Sequence, residues 1–129
     1  MGKFIYLLED DPVYSEVIGY VLTKAFDKDT IKAVKCKSEF EQEIQKKQPD
    51  LLIADIITPN HQGETPETKN GLDAVKMVHS NIPVIAMSIL GEEVIDELRD
   101  YEGREKIIFF KKPFDTERLV IKAKELLNE

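Results

Sequence analysis

Short apolar runs alternate with longer amphipathic stretches along the whole chain, and this alternation constrains the fold more than any other feature of the sequence. Strands that alternate with helices form parallel sheets through right-handed crossovers, and nearly continuous apolar strands must be covered on both faces. The sequence therefore predicts a doubly wound α/β fold, with helices on both faces of a parallel sheet. The predicted strands are Phe4–Leu8, Thr30–Val34, Leu51–Ala54, Val84–Met87 and Ile107–Phe110.

Helix boundaries are indicated by capping residues. Asp11 before Pro12 has the pattern of an N-cap followed by proline at the first helical position, and it predicts a helix that runs to about Phe26. Ser38 with Glu41 has the spacing of a capping box that opens a second helix. Further helices are predicted over Gly71–Ser80 and Glu92–Glu102, and Asp115 is expected to cap a last helix that follows it.

Composition limits both the number of domains and the class of function. The 129 residues suit one domain spanning residues 1–129, and a net charge of -7 argues against a nucleic-acid surface. Apolar runs stay far below the roughly 20 residues of a spanning helix, which favours a soluble, cytoplasmic protein without membrane contact. The lone Cys36 has no cysteine partner, and we assign it no function.

Polar side chains follow the predicted strands at their carboxyl ends, where doubly wound sheets bind ligands. Glu9 and Asp10 follow the first strand, Asp55 the third, Ser88 the fourth and Lys112 the fifth. Clustered carboxylates repel one another, so a hard cation such as Mg²⁺ is their expected neutraliser. Lys112 and Ser88 offer a charge and a hydroxyl to a phosphoryl group, and Asp55 is the candidate acceptor.

Four segments at these strand ends carry a resemblance to a known family. In order along the chain they are Leu7–Pro12, Pro49–Ile56, Ile82–Ser88 and Lys111–Phe114. Over essentially its whole length the sequence resembles the receiver domain of two-component response regulators. The resemblance implies a single receiver domain with a flavodoxin-like sheet of strand order 2-1-3-4-5.

The resemblance also implies a metal site and a phosphate source. Mg²⁺ would be held by Asp10, Asp55 and the backbone carbonyl of Ile57, with Glu9 acting through water. Asp55 would take its phosphoryl group from a phosphohistidine of a sensor histidine kinase or phosphotransfer protein. The product would hydrolyse slowly, so the chain is expected to be a signalling phosphoacceptor rather than an enzyme.

A switch is implied at the fourth and fifth strands. Ser88 and Lys112 would contact the phosphoryl group, and Phe109 occupies the position of the aromatic switch residue. The Lys112–Pro113 bond is expected to be cis. Output would reach an unknown downstream effector protein, and the chain is expected to be a monomer or weak dimer.

Departures from the family pattern leave an alternative open. The polar segment Asn60–Asn70 is longer than the usual link, and we expect it to be a mobile loop that borders the site. Ile89 replaces a small residue and could narrow access to Asp55. A degenerate receiver that works as a phosphorylation-independent binding module is the alternative. A phosphatase of the haloacid-dehalogenase type is disfavoured, because it expects a second Asp where Ile57 stands.

Overall fold

A computed structural model describes residues 3–26 and 30–128, in which a central sheet is flanked by helices. Within those residues no helix is both long enough and apolar enough to cross a bilayer. A 3₁₀ helix at Glu92–Leu98 and a shorter one at Arg104–Lys106 lie between the fourth and fifth strands. The strands and α-helices are β1 (Ile5–Leu8), α1 (Pro12–Ala25), β2 (Ile31–Val34), α2 (Lys37–Lys46), β3 (Leu51–Asp55), α3 (Thr68–Val75), β4 (Val84–Ser88), β5 (Ile107–Lys111) and α4 (Thr116–Leu126).

All neighbouring strands of the sheet are parallel, and their order is β2-β1-β3-β4-β5. The predicted fold class and strand order are therefore confirmed. In register, Leu8 lies opposite Ala54, and Asp55 lies opposite Met87. Because the strands run in one direction with little stagger, the residues that follow them share one edge of the sheet.

Alternate residues of the central strands supply two separate cores. Tyr6 and Leu8 of β1 point into the core beneath α2 and α3, whereas Ile5 and Leu7 point into the core beneath α1 and α4. The Tyr6 ring meets Phe40 of α2 edge-on, with the ring centroids 5.3 Å apart. Every residue of β3 and β4 is buried, as expected for strands covered on both faces.

Two predicted helix caps are confirmed. The Asp11 carboxylate accepts hydrogen bonds from the Val13 and Tyr14 amides at 2.9 and 3.4 Å, and Pro12 starts α1. Asp115 caps α4 by accepting from the Glu117 amide at 2.9 Å. The first cap fixes the turn of helix that directly follows Glu9 and Asp10.

The predicted capping box at Ser38 and Glu41 is wrong. A cap at Ser38 would start the helix at Glu39, but α2 begins two residues earlier, at Lys37, and its N-cap residue Cys36 makes no side-chain capping bond. The first helical amides are satisfied from outside the helix, since Lys37 and Ser38 donate to the carbonyls of Pro59 and Asn60 at 2.9 and 2.8 Å. A tertiary contact thus replaces the local cap.

The polar segment after β3 is shorter as a loop than the sequence indicated. Thr58 and Glu67 form an antiparallel bridge that closes its base, and the Asn70 side-chain amide donates to the Thr58 carbonyl at 3.0 Å. Helix α3 consequently runs over Thr68–Val75 rather than Gly71–Ser80. Residues 59–66, between the two bridge partners, are called the closed loop below. The mobility of this loop stays a prediction.

The predicted α-helix over Glu92–Glu102 is a 3₁₀ helix over Glu92–Leu98. Its buried residues, Ile95 and Leu98, are spaced by three positions, which matches the three-residue turn of a 3₁₀ helix. Backbone bonds of the same spacing follow it, from the Tyr101 amide to the Leu98 carbonyl at 2.9 Å, for example.

Candidate functional site

Acidic side chains from two adjacent strand ends converge around one lysine. Glu9 and Asp10 follow β1, and Asp55 is the last residue of β3. One carboxylate oxygen from each of the three acids lies within 4.8 Å of the other two. The Lys112 ammonium group, arriving from the end of β5, lies 2.6 Å from Glu9 Oε1 and 3.0 Å from Asp55 Oδ2. The structure therefore brings together four of the predicted site residues.

These charges are held in a largely dehydrated position. Glu9 is 1% exposed, Lys112 is 5% exposed and Asp55 is 7% exposed. The second oxygen of each buried acid is also satisfied, because the Asp11 amide donates to Glu9 Oε2 and the Ile57 amide donates to Asp55 Oδ1, both at 3.1 Å. Buried ions are stable only when paired and hydrogen-bonded in this way, so the side chains are fixed in position.

Burial and neighbouring charges shift the pKa values of Glu9, Asp55 and Lys112. Burial, followed by the nearby charge of Asp55, raises the pKa of Glu9 to about 7. Burial likewise raises the pKa of Asp55, although Lys112 opposes the shift. Burial alone would lower the pKa of Lys112, but its hydrogen bond to Glu9 and the charge of Asp55 outweigh it and raise that pKa. Glu9 and Asp55 share one ammonium group, so a further cation would stabilise their ionised forms.

The donor set suits a hard divalent cation. Carboxylate oxygens are the ligands that Mg²⁺ prefers, and Mg²⁺ normally keeps several water molecules. Asp10 is only half-buried and lines the same cleft as Asp55 and Ile57, so the site is open on the side where water ligands are needed. The residues present therefore fit the magnesium ion that the sequence predicted.

Ser88, predicted to follow the fourth strand, is the last residue of β4, and Phe109 lies in β5 as predicted. Neither residue belongs to the acidic cluster or lines its cleft. Ser88 is fully buried one position beyond the residue opposite Asp55, and its hydroxyl accepts a hydrogen bond from the Leu90 amide at 3.0 Å. The Lys112 amide donates to the Ser88 carbonyl at 2.8 Å, which ties β4 to the end of β5. Phe109 is half-buried and packs against the core beneath α2 and α3. The expected cis bond between Lys112 and Pro113 is present.

An open cleft of about 210 Å³ gives access to the cluster. Ile89 lines one wall but is itself 65% exposed, so it does not seal the entrance. Pro66, from the closed loop after β3, lines another part of the cleft, which confirms the expectation that this segment borders the site. The cleft is lined by Asp10, Asp11, Tyr14, Asp55, Ile57, Pro66, Ile89 and Lys112.

Tyr14 is the cleft residue that the sequence patterns did not single out. Tyr14 lies in the first turn of α1, and its ring faces the Lys112 ammonium group with 4.0 Å between Nζ and the ring centroid. The available signal was its position in the first turn of the helix that follows the first strand, because that turn borders the ligand-binding edge of the sheet. Pro66 belongs to the segment Asn60–Asn70 that was expected to border the site.

Comparisons with known proteins agree on the fold. No protein-family model matches the sequence. The receiver domain of the Francisella response regulator 1452 superposes with a TM-score of 0.73 at 19% identity, over 98% of this chain and 97% of that one. A response regulator receiver protein from Sinorhizobium medicae WSM419 gives 0.72 at 20% identity, over 98% and 95%. The BeF3-activated DrrB receiver domain gives 0.75 at 17% identity, over all of both chains. The chain thus has the receiver-domain fold, and the resemblance drawn from the strand-end segments is confirmed at that level.

Proposed function

We propose that this chain, as a single receiver domain, is the phosphoacceptor of a two-component system and that Asp55 is the residue phosphorylated. The observation that carries the proposal is the placement of Asp55 at the open cleft. Its carboxylate is paired with Lys112 at 3.0 Å and lies within 4.8 Å of the other acidic ligands. Phosphoryl transfer needs an acceptor, a positive charge for the phosphoryl oxygens and access from solvent, and this position offers all three.

The proposed chemistry is a direct transfer between two side chains. An Asp55 carboxylate oxygen attacks phosphorus, and the bond between phosphorus and one imidazole nitrogen of the donor breaks. That nitrogen keeps the electron pair, while the other ring nitrogen of the donor carries a proton throughout. An aspartyl phosphate and a neutral histidine result. The Lys112 ammonium group stabilises the phosphoryl oxygens during transfer. The same charge assists the later attack of water on phosphorus. The aspartyl phosphate therefore hydrolyses by itself, although slowly.

Magnesium has defined candidate ligands in this proposal. Asp10, Asp55 and the backbone carbonyl of Ile57 would hold the ion, with Glu9 acting through water. Such an ion supplies positive charge that neutralises the phosphoryl oxygens. Lys112, which directly follows β5, supplies the remaining positive charge.

Intact-mass analysis after incubation with Mg²⁺ and acetyl phosphate tests the acceptor. The wild type should gain one phosphoryl group, whereas Asp55→Asn and a chelator-treated wild type should not. Asp11→Asn is the matched control, since it alters an acid of the same cleft while asparagine still caps a helix. Labelling that persists in Asp55→Asn would refute the assignment. An unlabelled wild type would favour a phosphorylation-independent binding module.

Output is proposed to pass through Ser88 and Phe109 to a downstream effector. A phosphoryl group on Asp55 would draw the Ser88 hydroxyl away from the Leu90 amide, and Phe109 would turn into the space that opens behind β4. The surface formed by Glu92–Leu98, β5 and α4 then changes shape, a population shift that needs only a few kcal/mol. Amide chemical shifts with and without beryllofluoride measure this. Changes confined to the loops around Asp55 would contradict it.

A further inference from the structure

The Lys112 ammonium group has an aromatic neighbour as well as its two carboxylate partners. Its Nζ atom lies 4.0 Å from the centroid of the Tyr14 ring, within the range of a strong cation–π contact. Lys112 is 5% exposed, so the contact is shielded from water and is stronger than one on the surface. The ring thus forms one wall of the position that holds the charge.

Tyr14 is itself held in place by its helix cap and by an aromatic neighbour. Its amide donates to the capping carboxylate of Asp11, and its ring packs against Phe114 with the centroids 6.4 Å apart. Phe114 in turn meets Phe110 of β5 edge-on at 5.3 Å. These contacts connect Tyr14 to the strand that delivers Lys112, so ring and ammonium group share one support.

A phosphoryl group on Asp55 changes the hydrogen bonding of Lys112. Before transfer, two of the three ammonium N–H groups are engaged by Glu9 and Asp55. During transfer, the bond to Asp55 Oδ2 must give way to a bond with a phosphoryl oxygen. A π face attracts the ammonium group without taking up a strong donor, so it can hold Nζ in place while the oxygen partner changes.

We propose that Tyr14 is a positioning residue that holds the Lys112 ammonium group over the phosphoacceptor through its ring face. The proposal rests on the proposed function of Asp55, and it concerns the aromatic ring rather than the phenolic hydroxyl. Tyr14→Phe should therefore behave like the wild type, whereas Tyr14→Leu should not. Tyr14 is half-buried, so leucine keeps most of the apolar volume and the fold.

The test pairs a kinetic measurement with a spectroscopic one. With acetyl phosphate and Mg²⁺, the initial rate of phosphorylation should fall about fivefold in Tyr14→Leu and stay within about twofold of the wild type in Tyr14→Phe. Tyr20→Leu is the matched control, because Tyr20 lies on the same helix, is 62% exposed and also carries a lysine over its ring, Lys24 at 5.5 Å. Its rate should match the wild type.

The ε-proton chemical shift of Lys112, read in lysine-labelled protein without any phosphodonor, reports the ring directly. It should be shifted upfield in the wild type and in Tyr14→Phe, and it should return towards its ordinary value in Tyr14→Leu. An unperturbed wild-type shift, a wild-type rate in Tyr14→Leu or an equal loss in both Tyr14 variants would overturn the proposal. If the wild type accepts no phosphoryl group, the proposed function fails, and the chemical shift alone then upholds or overturns the role of Tyr14.

Discussion

Two helical glycines should respond in opposite directions to the same substitution. Gly71 lies in α3 where that helix meets the end of β3, and a Cβ there would lie 2.1 Å from the Ile56 carbonyl oxygen and 2.4 Å from its Cα. Gly19 lies in α1, and a Cβ there would meet no heavy atom of the described residues within 4 Å. Gly71→Ala should therefore destabilise the protein, whereas Gly19→Ala should stabilise it.

The size of the Gly71 effect follows from these distances. Non-bonded heavy atoms need roughly 3.5 Å, so relieving the contact of 2.1 Å requires α3 to move away from β3 by about 1.4 Å. Overpacking of this kind costs about 1–3 kcal/mol, and a backbone neighbour that cannot rotate away places this case at the upper end. Alanine returns about 1 kcal/mol of helix propensity, which leaves a net loss of about 2 kcal/mol. Gly19→Ala keeps only the gain, about 0.5–1 kcal/mol.

Urea unfolding of the two variants and the wild type measures both effects. The midpoint should fall in Gly71→Ala and rise in Gly19→Ala, with the slope of the transition unchanged. Because Ile56 lies directly between Asp55 and Ile57, Gly71→Ala should also weaken Mg²⁺ binding, while Gly19→Ala should not. A Gly71→Ala variant as stable as the wild type would refute the argument from the close approach of α3 to β3.

Further predictions concern the metal site, its pH dependence and the closed loop. Millimolar Mg²⁺ should raise the melting temperature of the wild type but not of Asp10→Ala, because the ion binds the folded cluster; equal responses would contradict the site. Without Mg²⁺, the free energy of unfolding should fall as the pH rises from about 4.5 to about 7, because the Glu9 carboxyl has its ordinary pKa of 4.5 when unfolded, about 7 when folded, and binds more protons in the folded state. Glu9→Gln should reduce this pH dependence of the free energy of unfolding, which denaturant titrations at several pH values measure. An unchanged pH dependence would show that another group causes it. Replacing residues 61–65 by a short glycine link should keep the Thr58–Glu67 bridge and the melting temperature while altering phosphotransfer or partner affinity; a large loss of stability would show that the loop is structural.

The chemistry-bearing positions could be predicted from the sequence because they depend on local patterns and one rule of topology. Strand-length apolar runs identify the residue at which each strand ends, and parallel strands bring those ends to one edge. Glu9, Asp10, Asp55 and Lys112 are brought together for that reason. The caps of α1 and α4 were equally predictable, since an N-cap aspartate acts on amides two or three residues away.

Only the tertiary structure decided features that depend on contacts between distant segments. The start of α2 follows from carbonyl groups of Pro59 and Asn60 that satisfy its first amides, and no capping pattern near Ser38 carries that information. Tyr14 contacts Lys112 although the two residues are far apart in the sequence, because the start of α1 and the end of β5 lie at the same edge of the sheet. Local sequence determines which side chains end each strand, whereas the packing of helices and loops around that edge determines what those side chains touch, because each such contact joins segments with no local signal in common.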